Sequence, residues 1–379
     1  MDKLINRYYL TTFISELART IPHPILIILL IEQKHLTLSQ ITFVQIFFYL
    51  GVLLFEIPSG YLADLGYRKS GYIGSFVCML TAYGLIYSSS SIITLSIAWF
   101  IYGIAGALTS GNVDGYIVNK LKENDLEGQI KPFNVKKTNM SLIAGIGGAL
   151  IGSLLYPIIS VNIYLFSLIL YTIAILIALF GIKIEHSKGT IDKLSIRDLD
   201  FTKQIKLLLI MVCIIELYYV GFYQYWQVLY QSKGIDPTFF GIIYITFSLT
   251  VITSNKLYSK VDKIKDYVVI PIFVLSTLVS LFVADSILFC VIYPITLFIA
   301  NLYVIDLYTT LYKVVDEKSI SSMISIVSSV NRVFGIIILA ILTVLLPLVD
   351  LNILLLILYI IFGTSFLILR GIFTQKKQI

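Results

Sequence analysis

The chain has 379 residues, of which 58% are hydrophobic and only 13% are charged, and its formal net charge is +6. Soluble domains carry roughly 25% charged residues, so this composition excludes a chain whose whole surface meets water and predicts an integral membrane protein. The three cysteines (Cys78, Cys213 and Cys290) and the three histidines lie far apart. We therefore expect no disulfide framework, no metal site and no cofactor.

Twelve apolar stretches are long enough to cross a hydrocarbon core of about 30 Å. In chain order they lie near residues 7–31, 38–63, 71–88, 92–117, 138–158, 162–182, 206–231, 237–257, 267–284, 286–313, 320–346 and 350–371. Backbone groups in lipid must be satisfied within each segment, so these stretches predict an all-α membrane protein with twelve transmembrane helices. The first stretch carries Glu16 and Arg19 and shows no small-residue cleavage site, so we interpret it as a retained span and not as a signal peptide.

The basic residues predict the orientation of these spans. If both termini are cytoplasmic, all but four of the 28 lysines and arginines fall in inner segments. Lys34 and Lys233 fall in outer loops, and Arg19 and Arg332 fall within spans. This asymmetry is the positive-inside pattern, and it explains the net charge without nucleic acid. We expect a multi-pass protein of the cell inner (plasma) membrane, with both termini in the cytoplasm.

The longest inner connection, residues 183–205, divides the chain into an N-terminal half (1–182) and a C-terminal half (206–379), each with six predicted spans. Within this linker, IDKLSIRDLDF (191–201) predicts either a short amphipathic helix on the inner membrane surface or a solvated segment.

The two halves repeat one another at similar offsets. The matches are ISEL (14–17) with IIEL (214–217), Asp64 with Asp262, and VDGY (113–116) with IDLY (305–308). Because each half has an even number of spans, the halves are parallel repeats related by an axis along the membrane normal, the arrangement of the two halves in major facilitator transporters.

The segment GYLADLGYRK (60–69) resembles the signature of the major facilitator superfamily: a glycine, an aspartate four residues later, and a basic pair between spans two and three. The resemblance covers the whole chain and implies the major facilitator fold. EIPSG (56–60), YWQVLYQSKGI (225–235) and SISSMISIVSSVNRVFG (319–335) resemble a bacterial efflux-type subgroup. The chain departs from the pattern at Tyr67, where the signature has glycine and this chain has Gly66 one position earlier. In span five, AGIGGALIG (144–152) resembles the antiporter motif without its proline.

The resemblance implies a conformational latch at the cytoplasmic side, formed by Gly60, Asp64, Arg68 and Lys69. Gly60 would let helices approach closely. Asp64 would meet the positive N-terminal end of helix eleven, near Ser319, and would pair with Arg68. The alternative is a positive-inside anchor with ordinary helix capping.

Five acids lie within the predicted spans, and each costs roughly 2.5–3.5 kcal/mol at mid-bilayer. They must therefore face water, partners or protons. In the family, spans one, four, seven and ten line the central cavity, and here each carries one acid: Glu16, Asp114, Glu216 and Asp306. We expect these four to form a ring in the inner half of the cavity; the fifth acid is Glu56.

Span one predicts a further polar face. Arg19 could pair with Glu16 on its own helix or with Asp114 across the cavity, and His23 falls on the same side of the helix. The sequence PHP (22–24) breaks the backbone hydrogen bonding, so His23 could instead bond a carbonyl freed by this break.

Span seven places Glu216, Tyr219, Tyr223 and Trp226 on one helix face. An acid with aromatic rings suits a lipophilic cation. An interfacial aromatic belt is the alternative for Trp226 and for Tyr230, which lie near the predicted outer edge.

Arg332 in span eleven needs an acidic partner, either Glu56 or Glu216. The five embedded acids and the two embedded arginines, Arg19 and Arg332, predict an excess of three negative charges. Burial disfavours the charged form of a carboxylate, so we expect one or two of these acids to bind protons.

The chain has no GxxxxGK[ST] loop for nucleotides and no nucleophile–base or metal motif. We therefore expect no enzyme activity and no drive by ATP. The sequence predicts a monomeric secondary transporter that works by alternating access, with the lipid bilayer, protons and a small molecule as partners. The predicted activity is proton-coupled efflux of amphipathic compounds, with a preference for cations. The alternative is an importer, symporter or facilitator on the same fold.

Overall fold

A computed structural model of the chain describes residues 1–109, 112–184, 201–260, 266–315 and 320–376. Regular structure in these residues is helical. The α-helices are α1 (Asp2–Thr20), α2 (Leu26–Glu32), α3 (Leu38–Asp64), α4 (Arg68–Ser88), α5 (Ile92–Thr109), α6 (Asn112–Glu123), α7 (Ile130–Ile159), α8 (Ile163–Gly181), α9 (Lys203–Ser232), α10 (Phe240–Tyr258), α11 (Asp266–Phe282), α12 (Ser286–Val314), α13 (Ile320–Leu345) and α14 (Leu351–Lys376).

The described helices confirm the predicted all-α membrane class. Ten stretches of these residues are long and apolar enough to cross a membrane, and the longest, Glu127–Gly181, contains both α7 and α8. A shorter apolar helix, Val268–Phe282, lies within α11. The described helices overlap the predicted spans, while the count of twelve transmembrane helices stays a prediction.

The first span is broken between α1 and α2. Proline lacks a backbone N–H and cannot continue the hydrogen-bond ladder, and Pro22 and Pro24 fall where the chain forms a 3₁₀ turn, His23–Ile25. The carbonyl oxygen of Arg19, in the last turn of α1, accepts a hydrogen bond from the Tyr83 hydroxyl at 3.0 Å. The predicted break is present, and a tyrosine of α4 satisfies a carbonyl beside it.

The chain divides into two compact units. The first is Met1–Asp192 with Pro237–Ile242, and the second is Lys193–Asp236 with Ile243–Ile379. The predicted halves and the helix at 191–201 stay predictions, since residues 185–200 lie outside the described ranges.

In the first unit, α3 and α5 cross at a pair of glycines, Gly51 and Gly103. A Cβ added to Gly103 would overlap the Phe48 carbonyl oxygen and lie 2.9 Å from the backbone nitrogen of Val52. A Cβ added to Gly51 would in turn overlap the Phe100 carbonyl oxygen. Small residues let helices in lipid approach until their backbones touch, and here both helices use one.

A second close crossing joins α7 to α1. A Cβ on Gly148 would lie 3.0 Å from the carbonyl oxygen of Leu17, and one on Gly152 would overlap that of Ile21. Both glycines belong to AGIGGALIG (144–152). The glycines of this segment therefore allow α7 to pack against the end of α1, next to the proline break.

The second unit is built around aromatic side chains of α9. Tyr218 and Phe222 are fully buried, Trp226 is 3% exposed and Tyr230 is 1% exposed. Their ring partners are Phe247, Phe273, Phe289, Tyr293, Tyr359 and Phe362. The interfacial belt, which was the alternative for Trp226 and Tyr230, does not describe these residues, because both rings pack inside this unit.

The two lysines predicted in outer loops, Lys34 and Lys233, are helix caps. The Lys34 ammonium donates to the Tyr87 carbonyl at 2.9 Å, at the end of α4. The Lys233 ammonium donates to the carbonyls of Leu281 at 3.1 Å and Val283 at 2.7 Å, at the end of α11. Burial lowers the pKa of both lysines. The last carbonyls of a helix lack partners and attract a cation, so each lysine stabilises the end of the third predicted span of its half.

We expect Lys233→Met to destabilise the protein by about 1–2 kcal/mol, because it removes charged hydrogen bonds to two helix-end carbonyls. The measurement is the melting temperature of purified protein in detergent. Lys206→Met, on the exposed side of α9, is the matched control and should leave the melting temperature unchanged. Equal melting temperatures for the two variants would contradict the capping role.

Candidate functional site

Glu16 and Arg19 form an ion pair on α1. The guanidinium makes two hydrogen bonds to the carboxylate, one from Nη2 to Oε1 and one from Nε to Oε2 at 3.2 Å. The two side chains are partly exposed, 26% for Glu16 and 37% for Arg19. Of the two pairings considered from the sequence, the structure shows the one within the helix. The pair lies one turn before the break at which His23 begins the 3₁₀ turn.

Asp114, in the first turn of α6, is held by two donors from other helices of the first unit. It accepts hydrogen bonds from the Tyr8 hydroxyl on α1 and from the Lys137 ammonium on α7. The sequence placed Lys137 in an inner loop, because apolar span five begins only at residue 138. The helix instead begins at Ile130, which places Lys137 on the helix beside Asp114.

Asp306, in α12, belongs to a larger cluster in the second unit. Its carboxylate accepts from the Tyr258 hydroxyl at 3.0 Å and from Nη1 of Arg370 at 2.6 Å. Nε of Arg370 donates to Asp266 at 2.7 Å, and Asp266 also accepts from Tyr303 at 3.2 Å. Arg370 is only 11% exposed, and its guanidinium carbon lies 5.2 Å from the centre of the Tyr303 ring. One arginine therefore forms ion pairs with two carboxylates.

These contacts change the count of embedded charge. The sequence-based count treated Lys137 and Arg370 as charges of inner segments, although each pairs with an acid assigned to the cavity. The predicted excess of three negative charges is therefore too large. Glu16 and Asp114 lie in the first unit and Glu216 and Asp306 in the second, so the ring of four acids stays a prediction.

The predicted aromatic face of α9 is smaller than expected. The Tyr219 and Tyr223 rings stack with centroids 5.7 Å apart and an interplanar angle of 8°, and Tyr223 is 49% exposed. Trp226 points into the core instead. Electrostatic interactions link Glu216 to the hydroxyls of Tyr219 and Tyr308. The site on this helix is thus one acid beside a stacked pair of tyrosines.

Arg332, on α13, belongs to the same neighbourhood. The charges of Glu216 and Arg332 both act on the hydroxyl of Tyr308. Tyr308 follows Asp306 by two residues on α12, and the sequence did not identify it as a candidate. The only signal was its place in the repeated segment IDLY.

The loop after α3 shows what the signature residues do locally. Gly66 has φ 92°, a conformation that glycine adopts without strain, and the Tyr67 amide donates to the Leu62 carbonyl at 3.0 Å. This is a Schellman cap, and Gly66 supplies its left-handed residue. Arg68 donates to the Ala63 carbonyl at 3.4 Å, and Lys69 to the Leu179 carbonyl at 2.8 Å, near the end of α8.

Two latch predictions have different outcomes. A Cβ added to Gly60 would meet no atom within 4 Å among the described residues. The close helix approach predicted there is found at Gly51 and Gly103 instead. Asp64 is the last residue of α3, but its side chain lies outside the described part, as do Ser319 and Asp262. The predicted contact of Asp64 therefore stays a prediction.

Comparisons with known proteins agree with this fold. The family model described as Major Facilitator Superfamily matches residues 8–338. A comparison with curated protein sequences gave no match.

Solved transporter structures superpose over the full chain. The nucleoside transporter NupG shares 13% identity with a TM-score of 0.76, covering 97% of this chain and 98% of that one. The POT family transporter PepTSo shares 10% identity with a TM-score of 0.78, covering 100% and 99%. A bacterial homologue of the iron transporter ferroportin, in an inward-facing state, shares 10% identity with a TM-score of 0.74, covering 99% and 98%. At these identities the likeness shows the fold alone.

Proposed function

This chain belongs to the Major Facilitator Superfamily and is a multi-pass membrane transporter, not an enzyme, and from that premise we propose that it exports small amphipathic compounds in exchange for protons. The observation that carries the substrate class is the stacked Tyr219–Tyr223 pair beside Glu216. Aromatic faces and a carboxylate attract a cation that also has apolar surface.

The transport cycle follows from the repeat. The halves 1–182 and 206–379, joined by the linker 183–205, rock against each other to give alternating access. Substrate and protons bind to groups of both halves: Glu16, Arg19 and His23 on the first, and Glu216, Tyr219, Tyr223 and Arg332 on the second. In this proposal the protein works as a monomer in the inner (plasma) membrane. The distribution of basic residues supports an orientation with both termini in the cytoplasm.

A second function is uptake of a small zwitterionic solute. The Glu16–Arg19 pair offers a carboxylate and a guanidinium side by side, which suits an ammonium and a carboxylate on one molecule. Lys137 compensates the charge of Asp114, and Arg370 compensates part of the charge of Asp306, which also favours a solute with less net charge than a cation.

The deciding experiment uses purified protein in liposomes with an imposed pH gradient and ethidium as the probe. Export predicts that protons moving down their gradient drive ethidium the opposite way. Uptake of a zwitterion predicts no ethidium flux, and flux of a dipeptide in the same direction as the protons.

Glu216→Gln should abolish ethidium accumulation driven by the pH gradient but permit exchange of ethidium across the membrane without a gradient. The reason is that glutamine keeps the size and polarity of the site but carries no titratable group. Glu127→Gln, an exposed acid before α7, is the control and should behave as the unmodified protein. A Glu216→Gln protein that still accumulates ethidium would remove Glu216 from the coupling mechanism.

A further inference from the structure

Asp114 and Asp306 occupy equivalent positions in the two repeats, VDGY (113–116) and IDLY (305–308). The structure gives them the same kind of surroundings. Each carboxylate accepts one hydrogen bond from a tyrosine and one from a cation, and all donors belong to the same compact unit as the acid. This likeness is not visible in the sequence, because the donors come from different spans in the two halves.

In the first unit the contacts join three helices. Asp114 connects α6 to α1 through Tyr8 and to α7 through Lys137. Tyr8 is 4% exposed, and its ring stacks on Phe133 of α7 with centroids 6.0 Å apart. The acid and its two partners therefore fix the N-terminal part of α6 against two neighbours.

In the second unit the contacts join four helices. Asp306 connects α12 to α10 through Tyr258 and to α14 through Arg370, and the same guanidinium reaches Asp266 at the start of α11. A lysine ammonium is a point charge, whereas a guanidinium can hold two carboxylates at separate N–H groups. The cluster around Asp114 thus pairs one acid with one cation, whereas the cluster around Asp306 pairs two acids with one cation.

We propose that Lys137 and Arg370 are positioning residues that hold Asp114 and Asp306 as internal braces of their own halves. The braces fix α6 and α12 so that each half moves as one body. The coupling proton and the substrate bind elsewhere, and this last clause alone rests on the proposed export function.

The first test neutralises the brace of the first unit. Removing one partner of a partly buried ion pair leaves an uncompensated charge. In the double variant, by contrast, asparagine and glutamine can still bridge the two helices through an uncharged amide hydrogen bond. Asp114→Asn alone and Lys137→Gln alone should each speed hydrogen exchange of the peptide 112–123 by about tenfold, which corresponds to roughly 1.4 kcal/mol. The double variant should return to within about threefold of the unmodified rate. Lys137→Arg alone should leave the exchange rate of this peptide unchanged, since arginine keeps the positive charge.

The second test uses the unequal number of acids in the second unit. The double variant Asp306→Asn with Arg370→Gln leaves Asp266 without its cation, so it should not recover. The triple variant, which adds Asp266→Asn, should recover the melting temperature in detergent and the hydrogen exchange of the peptide 301–314. We therefore expect hydrogen exchange to recover with two substitutions in the first unit and only with three in the second.

Transport of ethidium under a pH gradient separates the brace from a site of chemistry. In the recovered double and triple variants, ethidium flux and its dependence on pH should match the unmodified protein. If hydrogen exchange recovers but the pH dependence is lost, the aspartates carry the proton and the proposal is wrong. If neither the double variant of the first unit nor the triple variant of the second recovers hydrogen exchange, the pairs are not braces. If the unmodified protein moves no ethidium, the export proposal fails, while the melting and exchange patterns still decide the brace.

Discussion

Gly152→Ala should destabilise the protein by about 3 kcal/mol or more, the upper range for overpacking a close contact. A Cβ at this position would overlap the carbonyl oxygen of Ile21 and lie 2.8 Å from its carbonyl carbon. These are backbone atoms directly before the break at Pro22, so they cannot rotate away as a side chain would. The helices α7 and α1 would have to separate, and α7 would no longer pack against the chain at the proline break. The measurement is the yield of monodisperse protein and its melting temperature in detergent.

The matched control is Gly145→Ala on the same helix. A Cβ there meets no atom within 4 Å among the described residues. Alanine is favoured over glycine inside a helix by up to about 1 kcal/mol, so this variant should be as stable as the unmodified protein or slightly more stable. Similar losses in both variants would show that α7 does not tolerate alanine in general, and the close crossing would not be the cause.

Asp64→Asn should slow transport by about tenfold, equivalent to roughly 1.4 kcal/mol, without lowering the melting temperature. Asp64 is the last residue of α3, and a negative charge at the C-terminal end of a helix is locally unfavourable. Replacing it by asparagine should therefore leave the stability of α3 equal or improved. A loss of ethidium flux at unchanged stability would then come from the balance between conformations, as the proposed latch requires.

Glu123→Gln provides the comparison, because Glu123 is also an acid at the last position of a helix in the same unit. Its side chain is 57% exposed and pairs with Lys120, and no transport role is proposed for it. It should leave ethidium flux unchanged. A normal rate in Asp64→Asn, or an equal loss in both variants, would rule out the latch.

The spans were predictable because lipid imposes a strong constraint: an apolar stretch of sufficient length must be a helix. Their ends were less predictable. Helix α7 begins at Ile130, well before its apolar part, since polar residues can continue a helix into water. That extension carries Lys137, so the partner of Asp114 was missed for a definite physical reason.

The side of a helix that packs against the rest of the protein could not be predicted from the sequence either. Tyr219, Tyr223 and Trp226 follow a helical spacing, yet only the first two form the stacked pair, while Trp226 packs against Phe247 at 5.2 Å. In a membrane protein the lipid side and the core side are both apolar, so hydrophobicity cannot say which way a ring points. Neighbouring helices decide this, and their positions are not encoded locally.

The shared guanidinium of Arg370 has a consequence for how the two halves can change over generations. In the first half, an acid and a lysine can be lost in two substitutions, with one damaged intermediate between them. In the second half, Arg370 bonds to both Asp266 and Asp306, so a neutral replacement requires three substitutions and passes through at least one damaged intermediate. Random mutation followed by selection for transport should therefore recover neutral pairs at positions 114 and 137 far more often than neutral triplets at positions 266, 306 and 370.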